Sequence, residues 1–318
     1  MTAPFRFLAA SITAASTLAA SAAWAEFPTR GLNYIVPFDA GGQTDIASRV
    51  FADALADALG ASVSVVNRGG AGGSVGTAEI AAATPDGYTV GITTTSPMIQ
   101  APNRTNTPYD LDSFTFICRV YSNPMIMVVT EASEFESFPE LLQATQEGRR
   151  LTYGSVGTGS VQHVAMIQLM EQADFEAVQV QSTSDADNVR NLLADVVDLY
   201  FVAGSVYRQN AELLRPLAVM AQDRLDQIPD VPTIYELDLD VPSGVWGAFV
   251  APAGLGEAET TTLRDACRAA QETDSFIETL TGFGMEPVYL DGPETEALAR
   301  DQFATAGRIL EELGLVER

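Results

Sequence analysis

Lysine is absent from this chain, in which all seventeen basic residues are arginine. A Walker P-loop, a Schiff base and a pyridoxal phosphate site each require a lysine, so those mechanisms are closed to it. One histidine, His163, and two cysteines, Cys118 and Cys267, are too few for a structural zinc site of the usual kind. Beyond residue 25, no apolar run approaches the length of a membrane-spanning helix. Positive charge is also scarce: 42 acidic residues against 17 basic ones leave a formal net charge of -25. Such a surface argues against nucleic acid and anionic membranes as partners. A small anionic ligand stays open, because screening at physiological salt acts over roughly 8 Å and local dipoles decide the field inside a site.

What is present points to a sizeable exported protein. At 318 residues, 47% of them hydrophobic, the chain exceeds what one small core holds, so two domains are expected. Residues 1–25 read as a secretory leader: Arg6, an apolar stretch at 7–20, and the small-residue end Ala23-Trp24-Ala25, with cleavage after Ala25. Loss of Arg6 takes the charge from -25 to -26, since no acidic residue precedes Glu26. In an oxidising periplasm Cys118 and Cys267 either pair or remain two buried thiols.

The stretch 34–49, YIVPFDAGGQTDIASR, organises the chain. A strand at 32–36 ends at Pro37, which has no amide hydrogen for a ladder, and Gly41-Gly42 turn it into a helix. That helix carries Ile46, Val50, Phe51, Ala54, Leu55, Ala58 and Leu59 at helical spacing. Its first amides have no partner within the helix and lie at the positive end of the dipole, so a carboxylate is the natural guest. A purely structural role for the glycines, as space for strand-to-helix packing, is the competing reading.

The unit recurs. A second strand at 62–67 runs into Arg68-Gly69-Gly70-Ala71-Gly72-Gly73-Ser74-Val75-Gly76 and a helix at 77–83. Gly70, Gly72 and Gly76 miss the G-x-G-x-x-G dinucleotide spacing, and no acidic residue ends the strand that should follow. A third strand at 88–93 ends in the hydroxyl-rich tip Thr94-Thr95-Ser96-Pro97. Further on, a short strand at 151–153 enters Gly154-Ser155-Val156-Gly157-Thr158-Gly159-Ser160, with Ser160 placed to cap the next helix. His163 sits one turn into that helix, as a packed or capping residue, a ligand hydrogen-bonding group, or an orienter of the serine loop. A serine-hydrolase reading fails, because the G-x-S-x-G elbow is missing at both Ser155 and Ser160. Helices are also expected at 138–147, 188–197, 256–271, 273–281 and 294–313, and strands at 115–121, 125–130 and 215–220. Arg264 and Arg268, one turn apart, are expected on a solvated face.

V-P-F-x-A-G-G-x-T-D at 36–45 resembles the opening signature of the substrate-binding proteins of tripartite tricarboxylate transporters, the Bug family. Three more segments agree in order: V-x-N-R-x-G-A-G-G-x-x-G at 65–76, Y-G-S-x-G-x-G-S-x-x-H at 153–163, and the stretches at 231–236 and 246–254. The resemblance covers about 34–254 and loosens from Val178. There Gln181-Ser182-Thr183-Ser184 replaces a Pro-Tyr-Lys-Gly-like segment, and Val202 stands where an Asp is usual.

The resemblance implies an α/β, two-lobed periplasmic-binding-protein-like fold, each lobe a mixed sheet flanked by helices, with the ligand cleft between them. Lobe I takes residues 26–122 and 245–318, and lobe II takes 123–244. It implies ligand contacts at Phe38, Ala40, Gly42, Thr44 and Asp45, at Gly72, Gly73 and Ser96, and at Ser155, Gly159, Ser160 and His163. Gln43, in place of a small residue, either bonds the ligand or caps the turn. Asp39, in place of Pro, faces either solvent or cleft; Asp45 accepts a ligand donor, caps its own helix, or both. Catalytic residues, metal and cofactor are not expected. The implied function is an exported, monomeric receptor handing a small carboxylate to membrane permease subunits. The other reading is a periplasmic sensing component that presents its solute to a sensor kinase.

Overall fold

The computed structural model describes residues 27–241 and 244–316, so the leader expected at 1–25 lies outside it. Strand β1 (Leu32–Val36) is buried at four of its five positions, the pattern of a parallel strand covered on both faces. It ends before Pro37 as expected. The chain continues through α1 (Gln43–Leu59), β2 (Val63–Asn67), α2 (Ser74–Ala81) and β3 (Thr89–Thr94). Both β2 and β3 pair with β1 in parallel. Helix α2 starts three residues before its expected place, with Gly73 as its N-cap.

After β3, a wide turn at Ser96–Gln100 leads into the short helix α3 (Ala101–Arg104). Pro97 and Pro102 near their starts interrupt any apolar period, which is why the sequence pattern does not show them. Strand β4 (Phe114–Asn123) completes the first pass through this sheet.

Pro124 separates β4 from β5 (Met125–Thr130), which opens a second group of strands. There follow α4 (Phe138–Gln146), β6 (Leu151–Ser155), α5 (Val161–Ala173), β7 (Ala177–Gln181), α6 (Asp185–Leu193), β8 (Tyr200–Ala203), α7 (Gly204–Asn210) and β9 (Leu214–Val219). Strand β5 lies antiparallel between β8 and β9, and β6 pairs in parallel with β7. A bridge between Tyr153 and Leu199 joins the two pieces side by side. Helix α6 begins at Asp185 rather than 188 because the Ser184 hydroxyl accepts from the Asp187 amide at 3.2 Å.

The chain then returns. Strand β10 (Val245–Pro252) inserts antiparallel between β3 and β4, followed by α8 (Glu257–Gln271), α9 (Asp274–Gly282), β11 (Leu290–Asp291) and α10 (Gly292–Glu312). The first sheet thus runs β11-β4-β10-β3-β1-β2. One apolar core packs α1, α8 and α9 on one face, built around Tyr34, Phe51, Phe249 and Phe276. The other face packs α2 and α10 on Trp246, Ala248 and Val250. Among the described residues no helix is long and apolar enough to cross a membrane.

Both crossings between the sheets run together, with Val245 paired to Asn123. Gly244 makes this contact feasible: its φ is +135°, and a Cβ there would lie 3.1 Å from the Asn123 carbonyl oxygen. Arg264 departs from expectation. It is half-buried and donates to the Phe116 carbonyl at 3.0 Å, while Arg268 stays exposed against the Tyr289 ring.

Cys118 on β4 and Cys267 on α8 are bonded, 149 positions apart in sequence and with Cα atoms 6.7 Å apart. Such a long closed loop restrains the unfolded chain and is worth about 2–4 kcal/mol. Reduction, or the double variant C118S/C267S, is expected to lower Tm by roughly 5–10 °C in scanning calorimetry. An unchanged Tm would show that the bond restrains nothing the fold does not already hold.

Candidate functional site

The two glycine turns present helix starts of different kinds. Helix α1 begins at Gly42, which has no side chain to cap it. Among the described residues, the amides of Gly42, Gln43, Thr44 and Asp45 donate to no protein group. Gly41 and Gly42 are exposed, so this row of donors opens outward at the positive end of the helix dipole.

Asp45 belongs to the turn's foundation. It is 2% exposed. Its Oδ2 accepts from the Gly41 amide at 2.8 Å and from Arg49 Nε at 3.0 Å. Its Oδ1 accepts from Asn67 Nδ2 at 2.8 Å and lies 2.9 Å from Arg49 Nη2. Four donors on two oxygens leave no acceptor position for a ligand. Burial pushes this carboxyl up, but hydrogen bonds from Arg49, Gly41 and Asn67 outweigh it and hold it below the ordinary aspartate value. Asn67, at the end of β2, also donates to the Phe38 carbonyl at 3.0 Å and accepts from Arg49 at 2.9 Å. It stands in the V-x-N-R signature, yet sequence reasoning gave it no role.

The three strand ends of the first sheet meet. At Gly73, where φ is +97°, a Cβ would lie 3.0 Å from Phe38 Cζ and 3.1 Å from Pro97 Cγ. Ala40 and Gly72 are exposed at the rims of their turns, and Ser96 is half-buried just before Pro97. Asp39 is exposed and lies over Gly69 of the turn at 68–76. Gln43 Oε1 accepts from Asn123 Nδ2 at 3.2 Å, tying the turn to the crossing strand. Thr44 Oγ1 lies 3.2 Å from the hydroxyl of Tyr121, a phenol that burial pushes up to about 12 and so keeps protonated.

The second turn largely satisfies itself. The Ser160 hydroxyl accepts from the His163 amide at 3.3 Å, which is the expected N-cap. His163 Nδ1 accepts from the Gly159 amide at 2.8 Å, and its ring stacks on Tyr153. Burial lowers the His163 pKa, so the neutral ring carries its proton on Nε2, which has no protein partner among the described residues. Through Nδ1 the ring braces the glycine-serine loop at Gly159. Ser155 is fully buried and accepts from Gln179 Nε2 at 2.7 Å and from the Gly157 amide at 3.3 Å.

Among the described residues, no hydrogen bond joins the Gly42 turn to the Ser160 turn. One contact between the groups is at Gly159, where a Cβ would lie 3.0 Å from Leu310 on α10 and 3.4 Å from Arg104 Nε. Arg104 is exposed and makes no ion pair among the described residues. It ends the short α3, which left no signal in the sequence. No cluster of three or more His, Cys, Asp or Glu able to hold a metal occurs among the described residues. The arrangement offers amide and hydroxyl donors, the chemistry of anion recognition without a dedicated lysine.

Asp45 supplies a prediction. Its pKa is depressed on folding, so its stabilisation is fully present above the free aspartate value of about 3.9 and fades as pH falls through the lower folded value. Asp45→Asn is expected to cost about 1–3 kcal/mol at neutral pH. The gap between variant and wild type should narrow in acid, as read by urea unfolding at a series of pH values. A gap independent of pH would mean that the carboxylate charge contributes nothing to the turn.

The family model for "Tripartite tricarboxylate transporter family receptor" matches residues 47–315. A UPF0065 protein of Bordetella pertussis is 32% identical over 319 residues, covering 98% of each chain. A TctC solute binding protein from Polaromonas, solved with no ligand, matches with a TM-score of 0.84 at 27% identity, over 90% of this chain and 99% of that one. Rpa4515 of R. palustris, solved with adipate, matches with a TM-score of 0.68 at 27% identity, over 91% and 99%. The fold is therefore that of the two-lobed periplasmic binding proteins, as the four signatures imply. The chain belongs to the tripartite tricarboxylate transporter receptor family.

Proposed function

We propose that this protein is an exported solute receptor that closes on a small organic carboxylate and delivers it to the permease subunits of a tripartite tricarboxylate transporter. The observation that carries the reading is the row of four unpartnered amides from Gly42 to Asp45. The nearby Asp45 charge is consumed by Arg49, Asn67 and Gly41, so it does not repel an anion placed over that row. A relative of similar length solved with adipate supports a carboxylate as guest.

In this reading lobe I comprises residues 26–122 and 245–318, and lobe II comprises 123–244, with the leader removed after Ala25. Phe38, Ala40, Gly42, Gln43 and Thr44 line the first lobe's side together with Gly72, Gly73 and Ser96. Asp45 supports them from behind. Gly159, Ser160 and His163 form the opposing side, with Ser155 beneath. The protein binds and releases its ligand unchanged, as a receptor does.

A thermal-shift panel of small mono-, di- and tricarboxylates tests the proposal. A ligand at 100 times its Kd adds about 2.7 kcal/mol to the folded state, a rise of several degrees in Tm. If no acid in the panel raises Tm, the carboxylate assignment fails. Gly42→Val then tests the location. Its backbone is extended and a Cβ would meet only the Asp39 carbonyl, at 3.7 Å, so the fold accepts a side chain at a cost of about 1 kcal/mol. The valine covers the amide row, and affinity for the best acid is expected to fall at least tenfold by calorimetry. Retained affinity would move the site elsewhere.

A further inference from the structure

At the junction of β4 and α7 lie two buried polar atoms without a hydrogen-bond partner among the described residues: Asn123 Oδ1 and Ser205 Oγ. Their residues are 5% and 4% exposed. Asn123 is the last residue of β4 in the first sheet, and Ser205 is the second residue of α7, directly after β8 of the second. The two elements are in contact there. The Gly204 amide donates to the Pro124 carbonyl at 3.1 Å, and a Cβ on Gly204 would lie 3.7 Å from Asn123 Oδ1. Buried polar groups are paired in the great majority of cases, so two orphans at one junction call for a third group.

Their connection to the amide row gives that group its identity. Asn123 Nδ2 donates to Gln43 Oε1, and Gln43 contributes one of the four open amides. In the proposed reading a carboxylate on the row therefore lies one side chain, Gln43, away from Asn123. An amide oxygen accepts only, whereas a hydroxyl both donates and accepts. A ligand hydroxyl donates to Asn123 and accepts from Ser205, and a ligand ammonium donates to both.

Building on the proposed function, we propose that Asn123 and Ser205 form a specificity subsite that selects carboxylates bearing a hydroxyl or amino substituent over the bare acids. A site built around buried hydrogen-bonding groups rejects the analogue that leaves them unpaired.

Calorimetric titration with matched acids tests this: succinate against malate and aspartate, glutarate against 2-hydroxyglutarate and glutamate, and adipate against 2-aminoadipate. The wild type should bind the substituted member of at least one pair tenfold or more tightly. In Ser205→Ala that ratio should collapse toward one. Asn123→Ser provides a second reading should the first variant fail to fold. Equal affinity within every pair, or a preference that survives in both variants, would overturn the subsite and leave the receptor assignment standing. Binding of none of these acids, nor of any other carboxylate in the thermal-shift panel, would overturn both.

Discussion

The structure's proposed function depends on one buried negative charge being fully occupied. Asp45 holds the Gly41 amide, and is itself held by Arg49 and Asn67, so a flexible glycine turn becomes a fixed one. Without that grip the turn would lose its definition, because glycine gives up more backbone freedom on ordering than any other residue. The same bonds neutralise the carboxylate where an anionic guest would feel it most. A protein with a net charge of -25 can thus present a locally positive row of amides. The long-range field is screened, and the short-range one is set by dipoles.

The two helix starts divide the work unequally. In the first, four amides are open and the supporting side chains act from behind. In the second, Ser160 and His163 take up the amides of His163 and Gly159, so the loop is stiff and its remaining donors are few. For the proposed receptor, an open row and a self-braced loop suit a trap in which one lobe takes the anion and the other closes on it. The crossings fit this division. Gln43 bonds Asn123 at one crossing, and the Thr95 hydroxyl donates to the Gly244 carbonyl at the other. Each crossing strand is therefore hydrogen-bonded to an element at the strand ends of the first sheet.

Much of this was legible from residues alone where a local rule applied. Strand β1 has the expected bounds because Pro37 stops it, and β5 runs from Met125 to Thr130 because its apolar run is flanked by Pro124 and by the acidic loop beginning at Glu131. Ser160 caps α5 as expected, since a serine after a glycine turn and before an apolar periodic stretch has few other roles. Short elements without period escaped: α3 follows Pro97 and holds Pro102 in its first turn, and α7 begins on a glycine with no side-chain cap. Arg264 was misplaced on a solvated face because helical spacing locates a face without saying what packs there. Phe116 offers its carbonyl from β4, the strand on which α8 packs.

By itself the sequence determined the family, the repeated strand-glycine-helix unit, and the absence of lysine chemistry, because each of these is written in contiguous residues. Only the tertiary structure decided that Asp45 serves the turn, that Cys118 and Cys267 are joined, and that Gln43 reaches Asn123. Each of those outcomes pairs groups between 4 and 149 positions apart. Which donor satisfies which acceptor is settled by the packing of sheets and helices, and a side chain's several possible partners become one only when that packing excludes the rest.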